Sequence, residues 1–105
     1  MLSLGTNQEG NTMTTVIVQH DVTDYDTWKS VFDEHGAART AHGCSSAEIY
    51  RGAEDPNAVT IVLTFPSLDA AKGFSSDLSL KEAMGRGGVT GPPSISYVEP
   101  AEARV

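Results

Sequence analysis

A single stretch of the sequence contains the side chains best suited to chemistry. Trp28, His35 and Arg39 follow one another at steps of seven and four residues, which places them on one face of an α-helix. His20 precedes this stretch and ends a β-branched segment. A histidine can act as a general base near neutral pH, and an arginine can hold an enolate or a carboxylate. The combination indicates a pocket that binds and deprotonates a small molecule.

The same residues also allow a purely structural interpretation. Trp28 and Phe32 would then be core side chains, His35 would lie at the edge of the apolar stripe, and Arg39 would extend to water. For each residue alone, packing is the simpler explanation. Three polar, reactive side chains on one inward face are unusual in a core built only for packing, and this keeps the pocket hypothesis open.

Metal and nucleophile chemistry receive less support from the spacing. His35 and His42 lie seven residues apart, about 10 Å along a helix axis, which is too far for both to bind one ion. Cys44, the single cysteine, has only His42 beside it as an activating group and is expected to be a buried, inert thiol. We therefore expect neither a metal nor any other cofactor.

The elements that must position these residues follow from the hydrophobic periodicity. Alternating β-branched segments predict strands, and apolar residues at steps of three and four predict helices. The first helix is expected to begin near Asp24 with a capping box at Thr23, and the second to break near 76–79 at a capping box on Ser79. The predicted strands are Thr14–His20, Ser45–Arg51, Val59–Phe65 and Ser94–Glu99, the helices Asp24–Ala41 and Leu68–Gly85, and the glycine-rich loop Gly85–Pro93.

This order of elements is that of an α+β, ferredoxin-like βαββαβ fold with a four-stranded antiparallel sheet. Right-handed crossovers place both helices on one face of the sheet and leave the other face open. Both alternating sets of residues in Val59–Phe65 include apolar side chains, so the open face is expected to carry a large apolar patch. Such a patch predicts a homodimer formed through the open sheet face.

Length and charge restrict the remaining possibilities. A chain of 105 residues and 11.1 kDa has room for one domain, which we place at 13–99, with a disordered lead at 1–12 and a tail at 100–105. A net charge of -7 disfavours nucleic acid and anionic membranes as partners. The sequence shows no apolar run of membrane-spanning length, no signal peptide and one cysteine, so a cytoplasmic location is expected.

Several segments resemble one family of small proteins. They are His20 at the end of the first strand, DYDTWKSVFDEH at Asp24–His35, the strand running into Tyr50, the turn DPNAV at Asp55–Val59, and LKEAMGRGGVTGPP at Leu80–Pro93. Over about 13–99 the chain resembles the dimeric α/β-barrel proteins of the antibiotic biosynthesis monooxygenase-like superfamily. The resemblance implies two sheets paired face to face and a pocket in each subunit between sheet and helices.

Activities in this superfamily include cofactor-free oxygenation of polycyclic aromatic substrates, polyketide cyclisation, lactone isomerisation and haem degradation. The haem-degrading members require a histidine on the second helix, and Leu68–Gly85 contains none. The resemblance therefore implies cofactor-independent monooxygenase or cyclase chemistry on an aromatic or polyketide-like substrate. The alternative is a non-catalytic dimeric binding or accessory protein for a hydrophobic metabolite.

The pocket hypothesis and the resemblance together assign roles to individual residues. The catalytic candidates are His20 or His35 as the general base and Arg39 as the group that stabilises an anion. The oxygenases of this superfamily also use a pocket asparagine, whereas Asn57 here falls in a predicted turn. The expected walls of the substrate pocket are Trp28, Phe32, Tyr50, Phe65, Phe74, Met84 and Tyr97.

Overall fold

The computed structural model describes residues 13–103. The expected disordered lead at 1–12 and the last two residues of the expected tail lie outside the described residues. Strands and helices follow one another in the order β1 Thr14–Val22, α1 Tyr25–Glu34, α2 Gly36–Ala41, β2 Ser46–Arg51, β3 Ala58–Phe65, α3 Leu68–Ser75, α4 Leu78–Arg86 and β4 Val89–Val98.

The four strands form one antiparallel sheet in the order β2-β3-β1-β4. β1 and β3 lie at its centre and pair from Thr14 opposite Phe65 to Asp21 opposite Ala58. Their β-branched residues suit a pleated surface that is buried on one side. The arrangement confirms the predicted α+β ferredoxin-like fold, and the sheet of the single chain is open, not closed into a barrel.

Both predicted helices are divided in two. The first is interrupted at His35, between α1 and α2, whereas the periodicity predicts one continuous helix from Asp24 to Ala41. Gly36, with its low helix propensity, directly follows the interruption. The second is divided at Ser76 and the residue after it, between α3 and α4, close to the predicted break. Both interruptions lie beside the site described below.

Aspartates cap two of these helices next to the positions predicted for the caps. Asp24 caps α1 by accepting hydrogen bonds from the backbone N–H (3.0 Å) and the hydroxyl (2.8 Å) of Thr27, so the predicted cap at Thr23 is wrong. Asp77 caps α4 by accepting a hydrogen bond from the Ser79 N–H at 2.8 Å, so Ser79 is not the cap itself. A carboxylate is favoured at both places because it also interacts with the positive end of the helix dipole.

β4 is longer than the predicted strand Ser94–Glu99. It begins at Val89, so much of the predicted loop Gly85–Pro93 belongs to this strand. Its register against β1 shifts at His20, where residues 91–93 lie opposite a single residue of β1. The bulge contains Gly91, with φ of 73°, and two prolines, which cannot donate to a regular ladder. These residue types predict a loop, and the bulge explains how a strand accommodates them.

The hydrophobic core lies between the sheet and the helices. Inward-facing residues of β1 and β3 form its floor, and Trp28 of α1 and Phe74 of α3 pack onto them. Burial of this apolar surface is the main favourable contribution to folding. The buried core residues are Val16, Val22, Trp28, Val59, Ile61, Leu63, Phe65, Ala71 and Phe74.

The opposite face of the sheet carries fewer apolar side chains than predicted. Ile17 and Val62 pair across its centre, and Tyr50 and Val98 are exposed towards its edges. The outward set of β3 has Val62 between two threonines, and most other outward positions are serine, threonine, glutamine or glutamate. The face is therefore less apolar than the predicted large patch, because each strand contributes only one large apolar or aromatic side chain to it.

The turn between α4 and β4 depends on Gly88. Its φ is +77°, and a Cβ atom at this position would lie 2.5 Å from Thr23 Oγ1. Gly88→Ala is expected to lower the free energy of unfolding by about 1–3 kcal/mol, because alanine must adopt a left-handed conformation and displace a neighbour. Urea denaturation measures this change.

Gly85→Ala in α4 is the matched control for Gly88→Ala. A Cβ atom at Gly85 has nothing within 4 Å, and alanine favours a helix interior by up to about 1 kcal/mol over glycine. The control should keep or raise the free energy of unfolding. Equal losses in the two variants would contradict the account of this turn.

Candidate functional site

A mostly apolar cavity of about 50 Å³ lies between the inner face of the sheet and the helices. Side chains from all four helices line it. Its few polar groups come from two histidines, one arginine and one serine. The lining residues are Val16, Val18, His20, Trp28, Val31, Phe32, His35, Arg39, Ile61, Leu63, Phe74, Ser75, Leu80, Ala83, Met84 and Ile95.

Aromatic rings form one side of this cavity. Trp28 and Phe32 of α1 lie with their ring centroids 5.0 Å apart, and Tyr25 lies 5.7 Å from Trp28. Positions 25, 28 and 32 share one helix face, so the helix itself brings the three rings together. Gly87 allows α4 to approach closely, because a Cβ atom there would lie 3.2 Å from Trp28 Cδ1. Trp28 and Phe32 line the cavity, and Tyr25 packs beside Trp28 outside it. This side of the cavity is therefore aromatic and apolar, which suits an aromatic ligand.

His20 is a buried histidine without hydrogen-bond partners. Its side chain is 8% exposed, and neither ring nitrogen has a partner within residues 13–103. The ring meets Trp28 edge to face at 5.7 Å. Burial lowers the pKa of His20, and the nearby carboxylate of Asp21 opposes this shift only in part. The imidazole is therefore neutral at neutral pH, with one acceptor nitrogen and one N–H donor that are both buried and without a partner in the described part of the chain.

A buried polar group left without a partner costs free energy, so His20 has the character of a site prepared for a ligand. The bulge of β4 lies directly opposite this residue in the sheet. Bulges occur next to active sites, where they redirect a side chain or end the regular pairing. The site therefore combines an unpaired base with an irregular strand.

His35 and Arg39 lie on another part of the cavity wall. His35 Nε2 is 2.9 Å from Ser79 Oγ, and its ring centroid is 5.9 Å from that of Phe74. Burial lowers the pKa of His35, and the positive charge of Arg39 lowers it further. The Arg39 guanidinium stacks 3.6 Å above the ring of Phe32 and donates a hydrogen bond to the Phe32 carbonyl at 2.8 Å. Burial also lowers the pKa of Arg39, which stays protonated.

A polar cluster ties the α1–α2 layer to the break between α3 and α4. We call it the histidine clasp; it consists of His35, His42, Asp77 and Ser79. His42 Nε2 lies 2.8 Å from Asp77 Oδ2, and Asp77 also accepts from the Ser79 N–H. Both histidine rings pack against Phe74 at 5.9 Å. The clasp holds the helices together at the edge of the cavity, a role for His42 that its spacing from His35 does not reveal.

Asp77→Asn is expected to change the acid dependence of stability. Hydrogen bonds from His42 and Ser79 lower the pKa of Asp77 to about 2 from 3.8, so the ionised carboxylate stabilises the folded state above pH 3.8. This contribution disappears as the pH falls from 3.8 towards 2. Asparagine is also a good helix cap, so the variant removes the charge and keeps the cap.

Urea denaturation at a series of pH values between 5 and 2 measures this effect. The variant should lose less stability across the acid range than the wild type. Asp69→Asn is the control, since Asp69 lies in the first turn of α3 away from the clasp. If the stability of wild type and of Asp77→Asn depended on pH in the same way, the Asp77 carboxylate would not stabilise the fold through the histidine clasp.

The structure brings seven of the ten predicted site residues to the cavity. They are His20, His35, Arg39, Trp28, Phe32, Phe74 and Met84. Their roles in binding or catalysis stay predictions. These residues cluster because each lies on the inward face of its helix pair, α1–α2 or α3–α4, or of β1. The hydrophobic periodicity predicts these inward faces.

Three other predicted wall residues lie away from the cavity. Tyr50 points to the opposite face of the sheet and is 53% exposed. Phe65 is completely buried in the core, beyond the cavity wall. Tyr97 lies on a surface cleft of about 400 Å³ with Lys72 and Glu99. The alternation of a strand shows which residues share a face, but not how far along the strand a cavity extends.

The aliphatic part of the wall is absent from the sequence prediction. Val16 and Val18 of β1 and Ile61 and Leu63 of β3 form the floor, and Leu80 of α4 closes the cavity from the helix side. The signal was present, because these strand residues alternate with outward-facing ones and define the inner face of the sheet. Reactive or aromatic character does not identify these residues, because aliphatic side chains have neither.

No group of three or more His, Cys, Asp or Glu residues within 13–103 is arranged to hold a metal ion. In the same range, no helix is long and apolar enough to cross a membrane.

This chain is similar to known proteins in its structure. The sequence matches no protein-family model and no curated protein. A Bordetella bronchiseptica protein classed with the antibiotic biosynthesis monooxygenases superposes with a TM-score of 0.73 at 16% identity, over 87% of this chain and 99% of that one. Many other solved chains also match.

Two of the similar structures are described by their activity. SnoaB, a cofactor-independent oxygenase from Streptomyces nogalater, superposes with a TM-score of 0.66 at 11% identity, covering 90% of this chain and 96% of its own. The monooxygenase ActVA-Orf6 of Streptomyces coelicolor, solved in complex with Nanaomycin D, superposes with a TM-score of 0.64 at 21% identity. This match covers 94% of this chain and 96% of that one. At such identities the match shows the fold alone. The chain therefore has the fold of the antibiotic biosynthesis monooxygenase-like superfamily, as the sequence resemblance predicts.

Proposed function

We propose that this protein is a cofactor-independent oxygenase that acts on a flat aromatic or polyketide-like molecule bound between sheet and helices. The observation that carries the proposal is His20, a buried and unpaired neutral imidazole on the wall of an apolar cavity. A general base needs an acceptor nitrogen within reach of the substrate and a pKa below the working pH. The fold shared with SnoaB, described as a cofactor-independent oxygenase, gives the proposal further support.

The residues of the cavity suit the oxidation of an anthrone-like substrate. His20 accepts a proton from the activated CH₂ group, and the carbanion is delocalised over the rings that Trp28 and Phe32 flank. Molecular oxygen takes electrons from this carbanion and forms a C–O bond, and the resulting peroxide is protonated by His20 and loses water. One oxygen atom ends in the new carbonyl and the other in water, so anthrone and O₂ give anthraquinone and H₂O. Arg39 holds the negative charge of the substrate.

Such a ligand requires the cavity to expand. The cavity has about 50 Å³, whereas small-molecule sites have roughly 300–1,000 Å³. The side chains of Leu80 and Met84 on α4 close it, and α4 is bounded by the break at 76–77 and by Gly87 and Gly88. We assign α4 as the element that moves on binding, because it contributes Leu80 and Met84 to the cavity wall and its only buried side chain is that of Ala83.

The mostly apolar wall also favours the second candidate, a binding protein that retains a hydrophobic metabolite without chemistry. Incubation with anthrone in air-saturated buffer, without added metal, flavin or nicotinamide, separates the two. An oxygenase consumes O₂ and forms anthraquinone in equal amounts, above the rate of the protein-free control. A binding protein retains anthrone and leaves both rates unchanged, and this outcome would remove the enzymatic proposal.

The proposal includes a homodimer formed through the open sheet face, located in the cytoplasm. Ile17 and Val62 form the apolar centre of this face, and the surrounding hydroxyl groups can pair across a two-fold interface. Sedimentation at micromolar concentration tests the assembly. The wild type should sediment as a dimer and Val62→Lys as a folded monomer, whereas a monomeric wild type would remove the dimer from the proposal.

A further inference from the structure

Arg39 separates two spaces in the protein. One side of it lines the cavity that contains His20. Its other side lines a surface cleft of about 260 Å³ between α2 and the start of β2, formed with Gly36, Thr40, Cys44, Ser45, Ser46 and Ala47. A ligand that occupies the cavity therefore meets the guanidinium at the boundary with solvent.

The guanidinium of Arg39 has hydrogen-bonding capacity that the protein leaves unused. Of its five N–H donors, one is used by the Phe32 carbonyl. Within the described part of the chain, no carboxylate lies within 4 Å of it. The acid whose charge reaches it, Asp33, is paired with Lys29 at 2.8 Å. A half-buried arginine without an acidic partner is unusual, because burial of a charge is costly unless it is paired.

The hydroxyl groups of the cleft are already engaged. Thr40 Oγ1 donates to the Gly36 carbonyl at 3.2 Å. Ser45 Oγ and Ser46 Oγ bond to the carbonyl and the hydroxyl of Thr64, at 3.4 Å and 3.1 Å. The Arg39 N–H groups are therefore the principal free donors of the cleft, and they carry the positive charge that an anion requires.

We propose that the ligand of this protein is an aromatic carboxylic acid, with its rings in the cavity and its carboxylate on Arg39 at the boundary with the cleft. The inference rests on the proposed function, since it specifies the ligand of the same cavity. The planar guanidinium fork matches a carboxylate in geometry and charge. The chain as a whole carries a net charge of -7, so preferential binding of an anion requires a local cationic site.

A pair of probes that differ in charge tests this assignment: 2-naphthoate and 2-naphthamide. The chain has one tryptophan, so the indole N–H of Trp28 gives a single signal in a ¹H–¹⁵N NMR spectrum, and this residue lines the cavity. Both probes should shift the signal, and the naphthoate should bind about tenfold or more tightly than the amide. The advantage should decrease as salt is added, because the contact is ionic.

Arg39→Gln should remove the preference for naphthoate and leave the affinity for naphthamide within about twofold. Arg51→Gln is the matched control: Arg51 also stacks on an aromatic ring, 3.8 Å above Tyr25, and donates to the Pro56 carbonyl, but it lies outside the cavity. Its variant should keep the full preference. Arg39→Lys keeps the positive charge but lacks the planar guanidinium fork, so it should retain part of the preference for naphthoate. It provides a second variant if glutamine disturbs folding.

The outcomes distinguish this inference from the proposed function. Equal affinities of naphthoate and naphthamide for the wild type would overturn the carboxylate assignment and leave the aromatic cavity standing. An equal loss of both affinities in Arg39→Gln would also overturn it, because Arg39 would then act through packing alone. If neither probe shifted the Trp28 signal, the cavity would not bind aromatic ligands, and the proposed function would fail together with the inference.

Discussion

His20→Leu is expected to lower anthrone-dependent oxygen uptake by about 100-fold to 10,000-fold, the usual contribution of a positioned general base. The same change should not lower the free energy of unfolding. Both ring nitrogens of His20 are buried without partners, and leucine fills a similar volume without that cost. We expect an increase of roughly 1–2 kcal/mol in urea denaturation. A variant that is more stable and less active is the signature of a residue kept for function.

His42→Gln provides the control for this prediction. His42 belongs to the clasp and does not line the cavity, so its loss should reduce stability and leave turnover within a few-fold of the wild type. If His20→Leu retained full oxygen uptake, His20 would not be the base. If it instead unfolded the protein, the buried imidazole would be a structural element with a partner that the geometry does not show.

Phe65→Ala is expected to lower the free energy of unfolding by about 3–5 kcal/mol, the range for truncating a large aromatic side chain in a core. Phe65 has no exposed surface and lies with its ring centroid 5.5 Å from that of Phe74. Alanine at this position leaves a cavity at the end of β3 that the surrounding residues cannot fill. Urea denaturation measures the loss, and the slope of the unfolding free energy against urea concentration should be the same as in the wild type.

Tyr50→Ala is the comparison for Phe65→Ala, because both residues are predicted walls of the pocket. Tyr50 is on the open face of the sheet and 53% exposed, so its truncation in the monomer should change the free energy of unfolding by only about 0.5 kcal/mol. A small effect of Phe65→Ala, comparable to that of Tyr50→Ala, would contradict the position of Phe65 in the core.

The sequence predicts the fold well because the strands alternate clearly. Val16, Val18 and His20 lie on one face of β1, and the structure puts that face towards the helices. The same alternation places Tyr50 in the outward set of β2, opposite Thr60, so its exclusion from the cavity could have been predicted. The chemistry of tyrosine favours a pocket wall, but residue type alone does not say on which side of a sheet a side chain lies.

Other features depend on contacts that no local pattern reports. His42 and Asp77 are 35 residues apart and meet only because α2 and the break between α3 and α4 pack side by side. The first part of β4 contains glycine and two prolines, which predict a loop in isolation and form a bulge against β1. The volume of the cavity is set by how Leu80 and Met84 pack, which periodicity does not determine.

The central claim is that aromatic ligands bind between the helices and the inner face of the sheet, beside His20. A crystal structure of the protein with bound anthraquinone, the product of the proposed reaction, tests it most directly. The account predicts the rings against Trp28, a carbonyl oxygen within hydrogen-bond distance of a His20 ring nitrogen, and α4 displaced outwards. Anthraquinone bound to the open face around Val62 and Tyr50, with the inner cavity closed, would contradict it.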